Sequence, residues 1–152
     1  MYYNGKRVTS IFQTLGGGGS VNFEDAGSVY ITGHYDYESQ TVWEKNTSTS
    51  KLSSGKYIVV GDVYMDGYMG QQETIDGIAM TVVDLPNAED TATISLTLPY
   101  TWNDIEFGVI EHTTTVMQFE VRYNAYDFSV TPLYELGSDY TFNASLIFIK
   151  IV

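Results

Sequence analysis

The chain has 152 residues, with 19 acidic and 7 basic side chains and a formal net charge of −12, a size that fits one domain. It contains no cysteine, which excludes disulfides, zinc–thiolate sites and thiol nucleophiles. Between Lys56 and Arg122 there are eleven acids and no Lys or Arg. We therefore expect the body of the protein to repel phosphate, and neither nucleic acid nor a membrane to be a partner.

A run of four glycines near the start of the chain predicts a division into three regions. Residues 16–20 read Gly-Gly-Gly-Gly-Ser, the composition of a flexible tether, although the same five residues are also a common engineered linker. We expect an N-terminal anchor peptide at residues 1–15, the tether at 16–20 and a β-rich body at 21–152. The peptide is apolar and holds two of the seven basic residues, so it is predicted to attach to a partner. The residues predicted to anchor it are Tyr2, Tyr3, Lys6, Arg7, Val8, Ile11 and Phe12.

Alternation of apolar and polar residues predicts β-strands through the body. Residues 92–98 place four apolar side chains on one face and three hydroxyl side chains on the other, and residues 115–123 alternate in the same way. Residues 57–64, 78–83 and 105–110 are further strand candidates, and the first two of these are apolar on both faces. Turn signals are found at Asn4-Gly5, Asp66-Gly67 and Asp76-Gly77.

These patterns predict the fold class. No stretch of a dozen residues shows the apolar stripe and caps of a helix. With about eight to ten short strands, the expected fold is all-β: a two-sheet antiparallel β-sandwich of the jelly-roll or Ig-like kind, behind a short docking peptide.

The last strand candidate, residues 140–152, becomes apolar on its second face towards its end. Ile147, Ile149 and Ile151 form that second face, and something must cover it. A central position in the sandwich or a subunit interface would do so, and the sequence leaves both open. The interface alternative predicts a homo-oligomer, with a trimer favoured.

The best catalytic-looking group is formed by His34, Asp36 and Glu38. On a strand, residues two apart share a face at about 6.6 Å, the low end of the carboxyl spacing of inverting glycosidases. The two carboxylates would stand side by side on a polar face instead of flanking a cleft, which favours a solvated surface. We therefore expect no catalytic residue and no enzymatic activity.

Metal and cofactor sites are not expected either. Two histidines, His34 and His112, are too few for a His-rich zinc site. Four acids surround a predicted loop, but without the spacing of an EF-hand: Asp62, Asp66, Glu73 and Asp76.

Aromatic and thioether side chains around the same loop predict a surface contact. Such residues are typical of interaction patches, although packing into the core is the alternative. Exposed together, they would form a protein interface or, with Trp43, a platform for stacking sugars. The predicted contact residues are Tyr64, Met65, Tyr68, Met69 and Trp102.

A small, acidic, cysteine-free β body rich in Tyr, behind a short docking peptide, resembles bacteriophage virion structural proteins: head-fibre, capsid-decoration and tail or baseplate accessory proteins. The resemblance implies a non-enzymatic virion component, bound to capsid or tail proteins and often trimeric. No secretory signal and no apolar run of membrane-spanning length is found, so synthesis in the host cytoplasm is expected. The alternative function is a carbohydrate-binding or host-receptor-binding β-sandwich module that recognises surface glycans.

Overall fold

The computed structural model describes residues 2–3, 6–7, 23–48, 52–68, 70–85, 90–124 and 127–151. Secondary structure in these segments is β throughout. The strands are β1 (Tyr2–Tyr3), β2 (Lys6–Arg7), β3 (Phe23–Asp36), β4 (Gln40–Thr47), β5 (Gly55–Tyr68), β6 (Gln72–Leu85), β7 (Asp90–Asp104), β8 (Val109–Tyr123), β9 (Phe128–Pro132) and β10 (Thr141–Ile151). The prediction of an all-β antiparallel fold is confirmed. No helix in these segments is long and apolar enough to cross a membrane.

Strands β1 and β2 form a separate two-stranded antiparallel sheet. Tyr2 pairs with Arg7 and Tyr3 with Lys6, so the two residues between the strands are Asn4-Gly5, a sequence that favours a tight hairpin turn. The other predicted anchor residues, Val8, Ile11 and Phe12, lie outside the described residues, as does the tether at 16–20.

The remaining strands form one antiparallel sheet in the order β4-β3-β10-β5-β6-β7-β8-β9. Strand β10 returns from the far edge and pairs with both β3 and β5, so it is central in the sheet, but pairing along its edges does not cover its second face. On that face Ile147 and Ile149 pack with Ile58, Val60 and Ile78, and the subunit interface stays a prediction. Ile149 is buried, while Ile147 and Ile151 remain half-buried.

The two edges of this sheet approach each other. Lys45 Nζ on β4 donates to Thr131 Oγ1 on β9 at 3.0 Å. Thr41 on β4 bonds Leu136 twice, accepting from its N–H at 3.0 Å and donating to its carbonyl at 3.4 Å. The strands thus form one nearly closed, barrel-like sheet, where the sequence predicts two facing sheets.

Pairing between β6 and β7 is confined to one end of the two strands. Residues 72–75 pair with 100–103, and the described ladder ends at Ile75 and Tyr100. The next residue of β7, Pro99, has no N–H to donate, and its ring lies against Gly77, where a Cβ atom would approach Pro99 Cδ to 2.6 Å. The predicted turn at Asp76-Gly77 is therefore wrong, because both residues lie inside β6.

The core consists of the inward-facing residues of the curled sheet. Alternate residues of β5, β7, β8 and β10 are fully buried, and Phe148 makes edge-to-face contacts with Tyr57 and Phe128. The segment between β9 and β10 (residues 133–140) adds a buried Leu136 and packs Tyr134 and Tyr140 against this core.

Candidate functional site

The β7–β8 hairpin continues beyond the barrel. Through most of β7 and β8, exposure alternates because one face meets the core, but from Ile105 to Thr114 every residue is exposed. Residues 105–114 therefore have solvent on both faces, whereas residues 101–104 of β7 are half-buried. We call residues 101–112 the arm. Its β7–β8 pairs run from Thr101–His112 to Asp104–Val109, and at its base residues 101–103 are also paired with β6.

The tip of the arm is apolar. Phe107 is 75% exposed and Ile110 56% exposed, and they are accompanied by exposed Ile105 and Val109. Isolated exposed apolar residues are normal on a protein surface, whereas four of them between residues 105 and 110 form a candidate interaction site. The sequence predicts a strand over 105–110, whereas residues 105–108 are the turn. Asn103-Asp104 and Gly108 were the signal that could have indicated it.

The turn at the tip is held by its own hydrogen bonds. Asp104 Oδ1 accepts from the Phe107 N–H at 3.2 Å, and the Asp104 carbonyl accepts from the Gly108 N–H at 2.8 Å. Gly108 has φ +68°, a left-handed conformation that glycine adopts without a steric penalty. The apolar side chains are therefore presented on a pre-formed turn.

A carboxylate joins three parts of the chain at the base of the arm. Glu73 on β6 accepts hydrogen bonds from Tyr100 of β7 (to Oε1, 3.0 Å) and from Tyr140 of the 133–140 segment (to Oε2, 2.7 Å). The ring of Tyr140 lies directly over Gly67 of β5, where a Cβ atom would collide with it. The predicted turn at Asp66-Gly67 is wrong for this reason: the glycine lies inside β5 and makes room for a ring.

The tyrosines of this cluster are kept in the neutral, hydrogen-donating form. Burial, followed by the hydrogen bond to Glu73 and its negative charge, raises the pKa of Tyr100 to about 12. The same causes in the same order raise the pKa of Tyr140 further. Burial, and then the charge of Glu73, raises the pKa of Tyr134 as well.

Further bonds fix the start of the arm. Trp102 Nε1 donates to Gln71 Oε1 at 2.7 Å, which links the arm to the end of the β5–β6 hairpin. Thr101 Oγ1 and His112 Nδ1 lie 3.1 Å apart across the arm. Together with the Glu73 cluster, these contacts set the direction in which the arm leaves the barrel.

The predicted surface-contact residues are only partly brought together. Tyr64 and Tyr68 are exposed on the outer face of β5, whereas Met65 is fully buried because odd-numbered residues of β5 point into the core. Met65 therefore cannot contribute to a surface contact, and that prediction is wrong. Met69 lies outside the described residues, and Trp102 is half-buried at the base of the arm.

Two of the acids considered as catalytic or metal-binding groups, Asp36 and Asp66, have local structural partners. Asp36 Oδ1 accepts from the Ser39 and Glu38 N–H groups at 3.0 and 2.9 Å, and these bonds lower the pKa of Asp36. Asp66 Oδ1 accepts from Gln72 Nε2 at 3.2 Å. In the segments described, no three His, Asp or Glu side chains are grouped in a way that could hold a metal ion.

Comparison with known proteins adds no relative. No protein-family model, curated protein or solved structure matches the chain.

Proposed function

We propose that this chain is a non-enzymatic attachment protein whose arm docks into an apolar socket on a partner protein. The observation that carries the proposal is the cluster of exposed apolar side chains, Ile105, Phe107, Val109 and Ile110, on a turn held by its own hydrogen bonds.

The energetics of the tip favour binding. Full burial of one such side chain contributes roughly 1.5–3 kcal/mol, so burying the exposed parts of these four side chains, which are 46% to 75% exposed, would contribute several kcal/mol. Because the turn is already ordered, little conformational entropy is lost when it docks. Phe107, the most exposed of the four, is the expected anchor of the contact.

The negative charge around the tip favours a partner with a basic surface. Asp104, Glu106 and Glu111 flank the apolar residues, and the sequence has no Lys or Arg between Lys56 and Arg122. A socket with a basic rim would complement this arm. A second copy of this acidic chain and an anionic membrane are both disfavoured as partners of the tip, because each would bring like charge to it.

More specifically, we propose that the protein is a bacteriophage virion component: a head-fibre, capsid-decoration or tail accessory protein. This is what its resemblance to bacteriophage virion structural proteins implies. Its partner would then be a capsid or tail protein. The β1–β2 hairpin carries Lys6 and Arg7, a charge opposite to that of the body, and residues 1–15 remain a predicted second attachment element. The homo-oligomer, with a trimer favoured, also remains a prediction, which molar mass in solution tests.

The experiment compares Phe107→Asp with Val82→Asp, a matched change at a valine that is 57% exposed on β6, outside the arm. Both variants are added to purified particles that lack this protein, and attachment is followed by co-sedimentation. Phe107→Asp should lose attachment and Val82→Asp should keep it, while both unfold like the wild type. A deletion of residues 1–15 is tested alongside. Attachment that survives Phe107→Asp but is lost in the deletion would assign docking to the peptide and overturn the role of the arm.

A further inference from the structure

The outer face of β4, β3, β10 and β5 has a chemistry quite different from that of the arm. Strand register places Asn46, Tyr30, Ser145 and Asp62 in one row across these four strands. Directly paired residues on one sheet face have Cβ atoms about 4.5–5.5 Å apart, so the four side chains are neighbours. They combine an amide, a phenol, a hydroxyl and a carboxylate.

A second row lies two residues along the strands. It consists of Glu44, Thr32, Asn143 and Tyr64, again one residue from each of the four strands. The two rows give this part of the face hydrogen-bonding side chains and two exposed phenol rings, since Tyr30 is 48% and Tyr64 36% exposed. Further along the same face, Ile147, Ile149 and Val60 form an apolar cluster.

Two shallow depressions meet at Tyr30 and Asn46. One, of about 590 Å³, also includes Asp62, Ser145 and half-buried Ile147 in its lining. The other, of about 430 Å³, is bounded on its far side by Thr32 and Glu44. The Tyr30 side chain is thus shared by two adjoining hollows.

Polar groups in these hollows are available to a ligand. Within the segments that the structure describes, the side chains of Tyr30, Asn46 and Asp62 make no hydrogen bond to one another or to other residues. Ser28 and Ser48, at the border of the larger hollow, are instead bonded to each other at 3.2 Å. Free donors and acceptors around an exposed aromatic ring are what a polyhydroxylated ligand needs.

Charge disfavours an anionic ligand. Among the described residues that line the hollows, Lys45 is the one cation, and its Nζ donates to Thr131 Oγ1 at 3.0 Å, while Glu44 and Asp62 contribute negative charge. Phosphate, sulfate and carboxylate groups would be repelled here.

From these observations we propose that the outer face of β4, β3, β10 and β5 binds a neutral oligosaccharide. The Tyr30 ring stacks on a sugar ring, and Asn46, Asp62 and Ser145 bond its hydroxyl groups. This site differs from the tryptophan platform expected from the sequence. Trp43 packs edge-on against Phe142 at 5.0 Å between ring centroids, and the indole N–H of Trp102 is bonded to Gln71.

The test is isothermal titration of the intact chain with neutral hexose and N-acetylhexosamine oligosaccharides, and with oligogalacturonate as the acidic comparison. At least one neutral oligosaccharide should bind, and oligogalacturonate should bind more weakly or not at all. Tyr30→Ala should weaken the binding at least about tenfold, as expected for an aromatic anchor. Tyr37→Ala is the matched control, because Tyr37 is 88% exposed in the β3–β4 turn, away from the two rows, and it should bind as the wild type does.

Three results would overturn the proposal: no binding to any neutral oligosaccharide at millimolar concentration, unchanged binding by Tyr30→Ala, or preference for oligogalacturonate. Tyr30→Phe keeps the ring and should keep most of the affinity, which separates loss of stacking from loss of fold. Phe107→Asp should bind the oligosaccharide normally, so failure of this site and failure of the arm are distinguishable.

Discussion

Two stretches of the β7–β8 hairpin have similar apolar content, but one is buried and the other is exposed. Ile94, Leu96 and Leu98 of β7 are buried in the barrel, while Ile105 and Phe107 at the tip of the arm face solvent. The difference is whether another part of the sheet lies opposite. Leu96 faces Gly61 of β5 across the core, where a Cβ atom on the glycine would meet Leu96 Cδ1 at 2.4 Å. Apolar residues therefore indicate a contact, but only the topology shows whether the chain itself supplies it.

Truncating one side chain in each stretch tests this difference between buried and exposed apolar residues most directly. Leu96→Ala should lower the free energy of unfolding by about 2–5 kcal/mol, because it leaves a cavity in the core. Phe107→Ala should change it by no more than about 0.5 kcal/mol, because its ring packs little in the folded chain. Urea denaturation measures both values. Equal losses in the two variants would mean that the tip is covered in the folded protein.

A substitution at the base of the arm should have the next largest effect on the free energy of unfolding. Glu73→Ala removes the acceptor of two phenol groups and should lower the free energy of unfolding by about 2–3 kcal/mol. Glu106→Ala, at an exposed acid of the tip, is the matched control and should stay within about 0.5 kcal/mol. Hydrogen exchange of residues 100–103 should also speed up in Glu73→Ala. Unchanged exchange there would show that Glu73 does not hold the arm.

Alkaline pH should produce the smallest loss of stability, through ionisation of a tyrosine at the base of the arm. Since the pKa of Tyr100 is about 12 in the fold against 10.0 for an ordinary tyrosine, the folded state keeps a proton that the unfolded state has lost. The resulting stabilisation is complete below pH 10 and decreases as the pH rises towards 12. Urea midpoints at pH 9 and pH 11 measure the decrease, and absorbance at 295 nm follows the late phenolate. Tyr100→Phe should show a smaller decrease, and an identical one would exclude Tyr100 as its source.

Local patterns predicted the local features of this fold. Alternation over 92–98 and 115–123 indicates two neighbouring strands, and Asn4-Gly5 lies between two strands that pair. These signals depend on residues close in sequence. The catalytic and metal interpretations were set aside on the same local grounds.

Long-range packing accounts for what the sequence did not predict. Gly67 and Gly77 look like turn residues, but each lies inside a strand and leaves room for the ring of a residue distant in sequence, Tyr140 or Pro99. Nothing near Glu73 in the sequence indicates that Tyr100 and Tyr140 meet there, 27 and 67 residues further along. The tip is exposed because β7 and β8 extend past the ends of their neighbouring strands. No local sequence pattern indicates where those neighbouring strands end.

The position of β10 has a consequence for biosynthesis. It is the last strand of the sheet in chain order, yet it separates β3 from β5, so a ribosome-bound chain that lacks it has two unpaired strand edges where the finished protein has none. Such edges invite pairing with other chains. The joining of β3 to β5 must therefore wait until β10 has left the exit tunnel, although the β3–β4, β5–β6 and β7–β8 pairs do not involve β10. Until then the edges of β3 and β5 are the surfaces that a nascent-chain chaperone would shield.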